Sequence, residues 1–305
     1  MHNFQKVLNE IYNEIAPFEC NGKVANYIPE LAKINPKKFG ITIFTLNKEC
    51  FSIGQSSETF SIQSISKVLS LTLAIQAIGK SIWNRVNIEP SGDSFNSLIL
   101  LESENGIPRN PFINSGAIVV ADIILSHYKN PKQYFLEFVR SITKNNTIEY
   151  NQAVIKSEKA YGYRNLALAY LMKSFGNIKN NVEEVVDLYI HFCGLAMSCE
   201  DLSKAFMVFA NNGKNIFNNQ EVLSPSRIKR INAIMQTCGF YDQSGKFAFE
   251  VGLPGKSGVG GGIIAIHPNK YSVAVWSPKL NENGNSVLGM VALEKLTTKL
   301  NLSIF

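Results

Sequence analysis

Ser64-Ile-Ser-Lys67 opens the stretch that decides the fold, and the apolar run Val-Leu-Ser-Leu-Thr-Leu-Ala-Ile-Gln-Ala-Ile from 68 to 78 follows it directly. Residues three apart lie on one face of an α-helix, so the lysine amine can approach the serine hydroxyl within one turn. A serine is a weak nucleophile near neutral pH and needs a base beside it. Burial lowers the pKa of a lysine and makes it such a base. The stretch therefore predicts a core helix that carries a serine nucleophile and a lysine base.

A second motif, Lys256-Ser-Gly258, lies nearly two hundred residues later and begins a glycine-rich segment that ends at 262. Alone, Ser-x-x-Lys is common in chains of this length and has little weight. In class A β-lactamases and penicillin-binding proteins, however, a Lys-Ser/Thr-Gly strand accompanies a Ser-x-x-Lys helix in this order. The two motifs together indicate acyl transfer by a serine. We interpret the glycines as allowing the backbone to approach a substrate closely.

The composition is that of an ordinary globular chain. Of the 305 residues, 45% are hydrophobic and 18% charged, and the formal net charge is +6 at pH 7. Lys and Arg are scattered without a run of five like charges, so we expect no nucleic-acid partner. The apolar run from 68 to 78 contains Ser70, Thr72 and Gln76 and is too short to cross a bilayer, so we expect no membrane segment.

The cysteines and histidines form no recognisable ligand pattern. Five cysteines stand at 20, 50, 193, 199 and 238 without a C-x-x-C pair, and the four histidines form no H-x-x-x-H or H-x-x-E-H motif. We therefore expect reduced thiols, no metal and no cofactor. The amino terminus lacks the charged and apolar regions of a signal peptide. A cytoplasmic location follows as an expectation, and it argues against a β-lactamase or a penicillin-binding protein, which work outside the cytoplasm.

Strand-like segments lie near both ends of the chain, whereas the middle has helical periodicity. The predicted strands cover 39–45, 49–53, 247–251, 261–266 and 271–276, with a turn at 267–270. Two amino-terminal and three carboxy-terminal strands most simply form one antiparallel sheet, with helices at 4–15 and 286–300 on one face. Apolar residues at three- and four-residue spacing predict further helices at 64–78, 115–127, 131–143, 165–175, 182–193, 200–211 and 224–237.

This order predicts an α/β fold of the α+β type in a single domain that spans 1–305. A sheet lobe would contain about 1–62 and 238–305, and a large helical lobe of about 63–237 would be inserted into it. A cleft between the lobes is the expected place for a small ligand.

Ordered blocks along most of the chain resemble those of bacterial-type glutaminases, in the serine-dependent β-lactamase and penicillin-binding-protein-like superfamily. Besides the two motifs above, the blocks are Tyr27–Ala32, Glu89–Gly92, Phe95–Ser97, Asn110–Ile118, Ser157–Glu158, Arg164–Ala167, Cys238–Asp242, Val251–Gly262 and Gly284–Ser286. The chain departs from the usual pattern at Ser115, Phe240 and Gly255, where the family has alanine, methionine and alanine. The resemblance implies a β-lactamase/transpeptidase-like fold, with a five-stranded antiparallel sheet flanked by helices.

The resemblance also implies hydrolysis of the side-chain amide of L-glutamine to L-glutamate and ammonia, without a cofactor. Ser64 would form a γ-glutamyl ester with Lys67 as base, and Tyr27 and Tyr241 would line the catalytic centre. The substrate contacts that it implies are Gln63, Ser64, Asn114, Glu158, Asn165, Tyr189, Tyr241 and the backbone of Val259. A carboxylate for the substrate ammonium and amide or hydroxyl donors for its carboxylate suit this amino acid. By resemblance alone we expect a homo-oligomer, a dimer or a tetramer.

Without the resemblance, several of these residues allow other interpretations. Asn114 could be only a helix N-cap, Tyr189 only a core residue and Glu158 only a solvated surface residue. A β-lactamase or D-Ala-D-Ala peptidase, and a glutamine sensor without catalysis, are the alternative functions. Either Lys67 or Tyr241 could carry the proton. We also expect alanine at Ser64 or Lys67 to leave the fold intact, on the assumption that neither change removes much core volume.

Overall fold

The structure is a computed structural model that describes residues 3–91 and 98–305. Gly92 and the block Phe95–Ser97 lie outside the described residues. The strands are β1 Gly40–Thr45, β2 Cys50–Gly54, β3 Phe60–Ser61, β4 Glu149–Tyr150, β5 Leu195–Met197, β6 Gly255–Ser257, β7 Gly262–His267 and β8 Tyr271–Trp276. The helices are α1 Phe4–Ile15, α2 Pro29–Ala32, α3 Ser66–Ile78, α4 Leu98–Ser103, α5 Asn114–His127, α6 Pro131–Thr143, α7 Gln152–Tyr161, α8 Tyr163–Ser174, α9 Val182–Cys193, α10 Cys199–Ala210, α11 Pro225–Cys238, α12 Ser244–Glu250 and α13 Val287–Leu300.

The main sheet is antiparallel, has five strands and uses both ends of the chain, as the sequence predicts. Its strand order is β2-β1-β8-β7-β6. In the register, Ile43 lies opposite Val273 and Ile264 opposite Ala274. Every residue of β1, β7 and β8 is buried, because helices cover both faces of the sheet.

Alternating side chains of the sheet belong to two different apolar cores. Ile263 and Val273 share one core with residues of α1 and α13, which confirms that the terminal helices cover one face. Ile264 and Ala274 belong to the other core, with most of the central helices. The division into a sheet lobe and a helical lobe stays a prediction; α10, from the middle of the chain, packs directly on the sheet.

The predicted strand at 247–251 is wrong. Its residues form most of α12, in which Phe247 is buried against Phe240 with ring centroids 3.6 Å apart, while Phe249 is 90% exposed. Phenylalanines at 247 and 249 fit the alternating pattern of a strand. A helix of seven residues can equally have one buried and one exposed phenylalanine. The fifth strand is β6, Gly255-Lys-Ser257, whose residues have low strand propensity.

Long helices were the easiest elements to predict. The bounds of α1, α6 and α9 agree with the predicted 4–15, 131–143 and 182–193. Three of the shorter helices, α2, α4 and α7, were missed. So was a small second sheet of order β3-β5-β4, because strands of two or three residues carry no usable periodicity.

One helical stretch in the described part of the chain, Gln63–Asn84, is long and apolar enough to cross a membrane by length and composition. It has 22 residues, because short 3-10 segments at Gln63–Ile65 and Gly79–Asn84 extend α3 at both ends. The helical stretch is therefore longer than the apolar run from 68 to 78 on which the expectation of no membrane segment rests. Of its most apolar window, 67% is buried inside the protein, as in the core helix of a folded domain.

The glycine-rich segment approaches the protein's own backbone. A Cβ on Gly258 would lie 2.6 Å from the carbonyl oxygen of Ile62, and one on Gly260 would lie 2.3 Å from that of Ser61. Contacts this short do not occur in folded proteins, so both positions require glycine. The close approach fixes the segment Ser61–Ile62, which leads into Ser64, against the end of β6.

We predict that Gly260→Ala destabilises the protein, because the added methyl overlaps a backbone oxygen that cannot rotate away. The expected loss in free energy of unfolding is about 1–3 kcal/mol, as for an overpacked core. Urea denaturation measures it. Gly245→Ala is the matched control, because a Cβ at this position in α12 meets nothing within 4 Å. An equal effect of the two substitutions would contradict the packing argument.

Candidate active site

Ser64 lies in a 3-10 turn, Gln63–Ile65, that runs directly into α3. Gln63 has φ +49, which costs a non-glycine residue about 1–3 kcal/mol and persists only where its surroundings enforce it. Two hydrogen bonds hold its side chain: the Tyr27 hydroxyl lies 3.1 Å from Oε1, and Nε2 donates to Ser61 Oγ at 2.9 Å. The left-handed residue therefore sets the direction of the chain just before Ser64.

Lys67 is buried in the core, with 1% of its surface exposed. Its Nζ donates to the Phe112 carbonyl oxygen at 3.1 Å and to Asn114 Oδ1 at 2.7 Å. Burial lowers the pKa of Lys67 to about 8, although the neighbouring Cys193 and Glu158 oppose the shift. Among the described residues, Lys67 Nζ makes no hydrogen bond to Ser64 Oγ.

The burial of Lys67 corrects one expectation from the sequence. Lys67 is among the largest fully buried side chains, so alanine would remove substantial core volume and leave a cavity. A test of its chemistry therefore needs methionine, which keeps most of the volume and removes the amine.

Tyr241 faces Ser64 from a second left-handed position, with φ +53 in the 3-10 turn Tyr241–Gln243. Burial raises the pKa of Tyr241 to about 12, and the nearby Ser64 hydroxyl opposes that shift. The phenol is therefore neutral near physiological pH.

Lys256 lies beneath the ring of Tyr241, with Nζ 4.6 Å from the ring centroid. It is fully buried and donates to the carbonyl oxygens of Gly239 at 3.0 Å and Ser257 at 2.7 Å. Burial and the nearby Lys67 ammonium both lower the pKa of Lys256. The sequence marked Lys256 as part of a motif but gave no sign of its place under Tyr241.

Asn114, Asn165 and Tyr189 form one polar group beside Lys67. Asn114 Oδ1 accepts from Lys67 and from the Tyr189 hydroxyl at 3.3 Å, while its Nδ2 donates to Asn165 Oδ1 at 3.1 Å. Asn114 is the first residue of α5 and Ile113 is the N-cap, so Asn114 is not an N-cap. Tyr189 is buried, as a core residue would be, but its hydroxyl points into this polar group.

Glu158 of α7 is buried next to this group, so it is not a solvated surface residue. Its Oε2 lies 3.2 Å from the hydroxyl of Tyr27, a residue that is 48% exposed. Burial raises the pKa of Glu158 to about 7, while the Tyr27 hydrogen bond and the charge of Lys67 oppose the shift. The Tyr27 hydroxyl has one proton and can donate to only one of Gln63 and Glu158 at a time. When it donates to Gln63, its oxygen can accept a hydrogen bond from a protonated Glu158.

The backbone N–H groups of Ser64 and Val259 are among those at this place that have no acceptor within the described residues. They are close to each other, because a Cβ on the neighbouring Gly258 would lie 3.5 Å from Ser64 N. Free backbone donors beside a serine hydroxyl can hold a developing oxyanion.

The site contains one thiol, Cys193, and no cluster of metal ligands. Burial raises the pKa of Cys193 to about 11, so it stays a neutral thiol, and all five cysteines are free. No group of three or more His, Cys, Asp or Glu residues among 3–91 and 98–305 could hold a metal ion.

Comparisons with known proteins agree along the whole chain. The family profile Glutaminase matches residues 22–305. A glutaminase of Christiangramia forsetii is 56% identical over 303 residues, which cover 99% of this chain and 100% of that protein. The solved structure of a probable glutaminase, ybaS, has a TM-score of 0.94 at 32% identity and covers 99% of this chain and 98% of its own.

A probable glutaminase from Bacillus subtilis, solved in complex with 6-diazo-5-oxo-L-norleucine, has a TM-score of 0.90 at 30% identity. The match covers 100% of this chain and 98% of that one. These likenesses confirm the β-lactamase-like fold that the sequence predicts. The chain belongs to the glutaminase family and is an enzyme of that family, a hydrolase that acts on amides.

Proposed function

We propose that this enzyme hydrolyses the side-chain amide of L-glutamine to L-glutamate and ammonia through a γ-glutamyl ester on Ser64, with Lys67 as the base. The observation that carries the proposal is the buried amine of Lys67, which lies one turn from Ser64 among carbonyl acceptors. The Bacillus subtilis relative supports the substrate class, because 6-diazo-5-oxo-L-norleucine has the same α-amino acid end as glutamine.

The pKa values favour Lys67 over Tyr241 as the base. With a pKa of about 8, roughly one tenth of Lys67 is neutral at pH 7. With a pKa of about 12, only on the order of one Tyr241 in 10⁵ is a phenolate at that pH. Tyr241 instead suits the transfer of a proton, because its neutral hydroxyl lies beside Ser64.

The hydrogen bonds of Lys67 leave its lone pair free in the neutral state. A neutral amine has two N–H groups and one lone pair. The Phe112 carbonyl and Asn114 Oδ1 accept two hydrogen bonds, so both N–H groups are used. The remaining lone pair is then available for the proton of Ser64, and substrate binding would bring the two groups together, as is common for catalytic hydrogen bonds that are long in the free enzyme.

In the acylation step, Ser64 Oγ attacks the amide carbon and its proton passes to Lys67. The N–H groups of Ser64 and Val259 stabilise the oxyanion of the tetrahedral intermediate. The C–N bond breaks, and the serine proton reaches the leaving nitrogen through Lys67 and Tyr241, so ammonia departs neutral. Water then attacks the ester, gives its proton to the same base and restores Ser64.

The polar residues around Ser64 suit the two charged ends of the substrate. Glu158 would pair with the α-ammonium group once it is ionised. Asn114, Asn165 and Tyr189 would offer amide and hydroxyl donors to the α-carboxylate, and Gln63 would contact the substrate beside Ser64. Tyr27 connects Gln63 to Glu158, so it would order the contacts to the ammonium side. A cytoplasmic location and a homo-oligomer stay predictions.

We predict that Ser64→Ala and Lys67→Met each lower kcat for ammonia release from glutamine by on the order of 10⁴-fold or more, as losses of nucleophile and base do elsewhere. Coupled detection of ammonia measures the rate, and thermal melting confirms folding. Substantial ammonia release by folded Ser64→Ala would contradict the mechanism. Glutamine binding by the wild type without ammonia release would instead indicate a sensor.

The pH profile of kcat/KM should show two breaks. Glu158 must be ionised and Lys67 neutral, and both conditions are met only above their pKa values of about 7 and about 8. The logarithm of kcat/KM should therefore rise with a slope near two below pH 7, near one between 7 and 8, and level off above 8, because kcat/KM reports groups of the free enzyme. A profile that falls from pH 6 to 8 would contradict this assignment.

Glu158→Gln should remove the lower break and weaken recognition of the α-ammonium group. We expect kcat/KM for glutamine to fall about 30- to 1,000-fold, as when one partner of a buried charge pair is removed. 4-Carbamoylbutanoate, which is glutamine without its amino group, provides the matched substrate. If Glu158 binds the ammonium, the substitution should change kcat/KM for this analogue far less than for glutamine.

A further inference from the structure

The segment Asn281–Ser286 lies against the reaction centre, although the mechanism above makes no use of it. Gly284 has φ +85, and a Cβ there would lie 3.6 Å from Cε2 of Tyr241 and 3.5 Å from Cγ1 of Val259. The segment thus packs behind both the proton carrier and the residue that supplies a backbone donor. Its block Gly284–Ser286 stood out in the sequence without any assigned role.

The side-chain amide of Asn285 holds both ends of the turn that carries Tyr241. Asn285 is completely buried, and its Nδ2 donates to the carbonyl oxygen of Phe240 at 3.3 Å and to Gln243 Oε1 at 2.9 Å. Phe240 immediately precedes Tyr241, and Gln243 is the last residue of the turn. A single amide group therefore fixes the spacing between the residues on either side of Tyr241.

Asn281 completes this arrangement. Its Nδ2 also donates to Gln243 Oε1 at 2.9 Å, and its Oδ1 accepts from the backbone N–H of Asn285 at 3.1 Å. Gln243 is thus held by two amide donors, and Asn285 is itself held in place. Buried networks of this kind make a structure rigid at that point.

Two features indicate that these hydrogen bonds position Tyr241 more than they stabilise the fold. Tyr241 has a left-handed φ, which costs about 1–3 kcal/mol and is maintained only by its surroundings. Asn285 Oδ1 is buried and has no hydrogen-bond partner within the described residues, which is a further cost. The amide therefore contributes through its two donated hydrogen bonds, and both lead to the Tyr241 turn.

We propose that Asn285 is a positioning residue that keeps the Tyr241 hydroxyl against Ser64 and so speeds protonation of the leaving ammonia; this rests on the function proposed above. In acylation the Ser64 Oγ–C bond forms, the C–N bond breaks and the serine proton ends on nitrogen. A leaving group that departs as a stable anion needs no proton. Loss of Asn285 should therefore slow an amide substrate more than an activated thioester.

The experiment compares L-glutamine with the γ-trifluoroethyl thioester of L-glutamate, whose thiolate leaves unprotonated, with the spontaneous reaction subtracted. For Asn285→Ala we expect kcat/KM to fall about 10- to 100-fold with glutamine, as for a displaced catalytic group, and less than about 3-fold with the thioester. Tyr241→Phe should likewise lower kcat/KM more for glutamine than for the thioester. In a Tyr241→Phe background, Asn285→Ala should have little further effect, because both changes act on one step.

Gln243 offers a second test at a partly exposed position, which keeps the proposal falsifiable if Asn285→Ala does not fold. Gln243→Glu keeps an oxygen that accepts from both asparagines and should retain most activity. Gln243→Leu removes the acceptor and should reproduce the loss with glutamine. Asn232→Ala is the matched control, because Asn232 Nδ2 likewise donates to a carbonyl, that of Phe209 at 3.1 Å, and its Oδ1 likewise lacks a partner.

The outcomes separate this proposal from the proposed function. If the wild type releases no ammonia from glutamine, the proposed function is wrong, whatever the effects of the substitutions. If the wild type is active but the substitutions at 285 and 243 lower both substrates equally, or act additively with Tyr241→Phe, the positioning role is overturned. A loss of folded protein in both Asn285→Ala and Gln243→Leu would assign the network to stability and overturn it as well.

Discussion

The burial of the Lys67 amine without an ion-pair partner is the constraint on which the rest of this structure depends. An ammonium group in an apolar core is costly unless it is paired, and no carboxylate among the described residues forms a salt bridge with Lys67. Burial lowers the pKa of the Lys67 amine, and the hydrogen-bond acceptors of this amine are two neutral oxygens. The same desolvation that would destabilise the fold creates a base that can act near neutral pH.

A second constraint concerns the direction of the backbone around Ser64. Gln63 and Tyr241, one on each side of Ser64, both have left-handed backbones, and each is fixed by side chains from distant parts of the chain. Their strain is local, whereas the contacts that maintain it come from Tyr27, from the glycine-rich segment and from Asn285. The serine can therefore be held in place although it lies in a short turn and not within the helix itself.

How much of the fold and the site could be predicted from the sequence depends on how far apart in the chain the interacting residues lie. The spacing of Ser64 and Lys67 predicts a shared helix face, because helical periodicity is local. The orientation of Lys67 toward Phe112 and Asn114 could not be predicted, because it depends on a helix that begins nearly fifty residues later. The buried state of Glu158 was equally hidden, since its neighbours Lys156 and Lys159 indicate a surface. Only the Lys256-Ser-Gly258 motif indicated a strand near β6, which is absent from the five strands predicted for the sheet, because glycine and lysine have low strand propensity.

The departures from the family pattern near Tyr241 show how such long-range constraints are met. A Cβ on Gly255 would lie 3.2 Å from Cε2 of Phe240, which is tight packing, and Phe240 in turn stacks on Phe247. The same Cβ would lie closer still, at 2.6 Å, to the carbonyl oxygen of Ile264, so the backbone of β7 and the ring of Phe240 both favour glycine at this position. Nothing in the structure explains the serine at Ser115. Because Phe240 precedes Tyr241 and accepts the hydrogen bond of Asn285, close packing around its ring matters at a point where a shift would move the phenol away from Ser64.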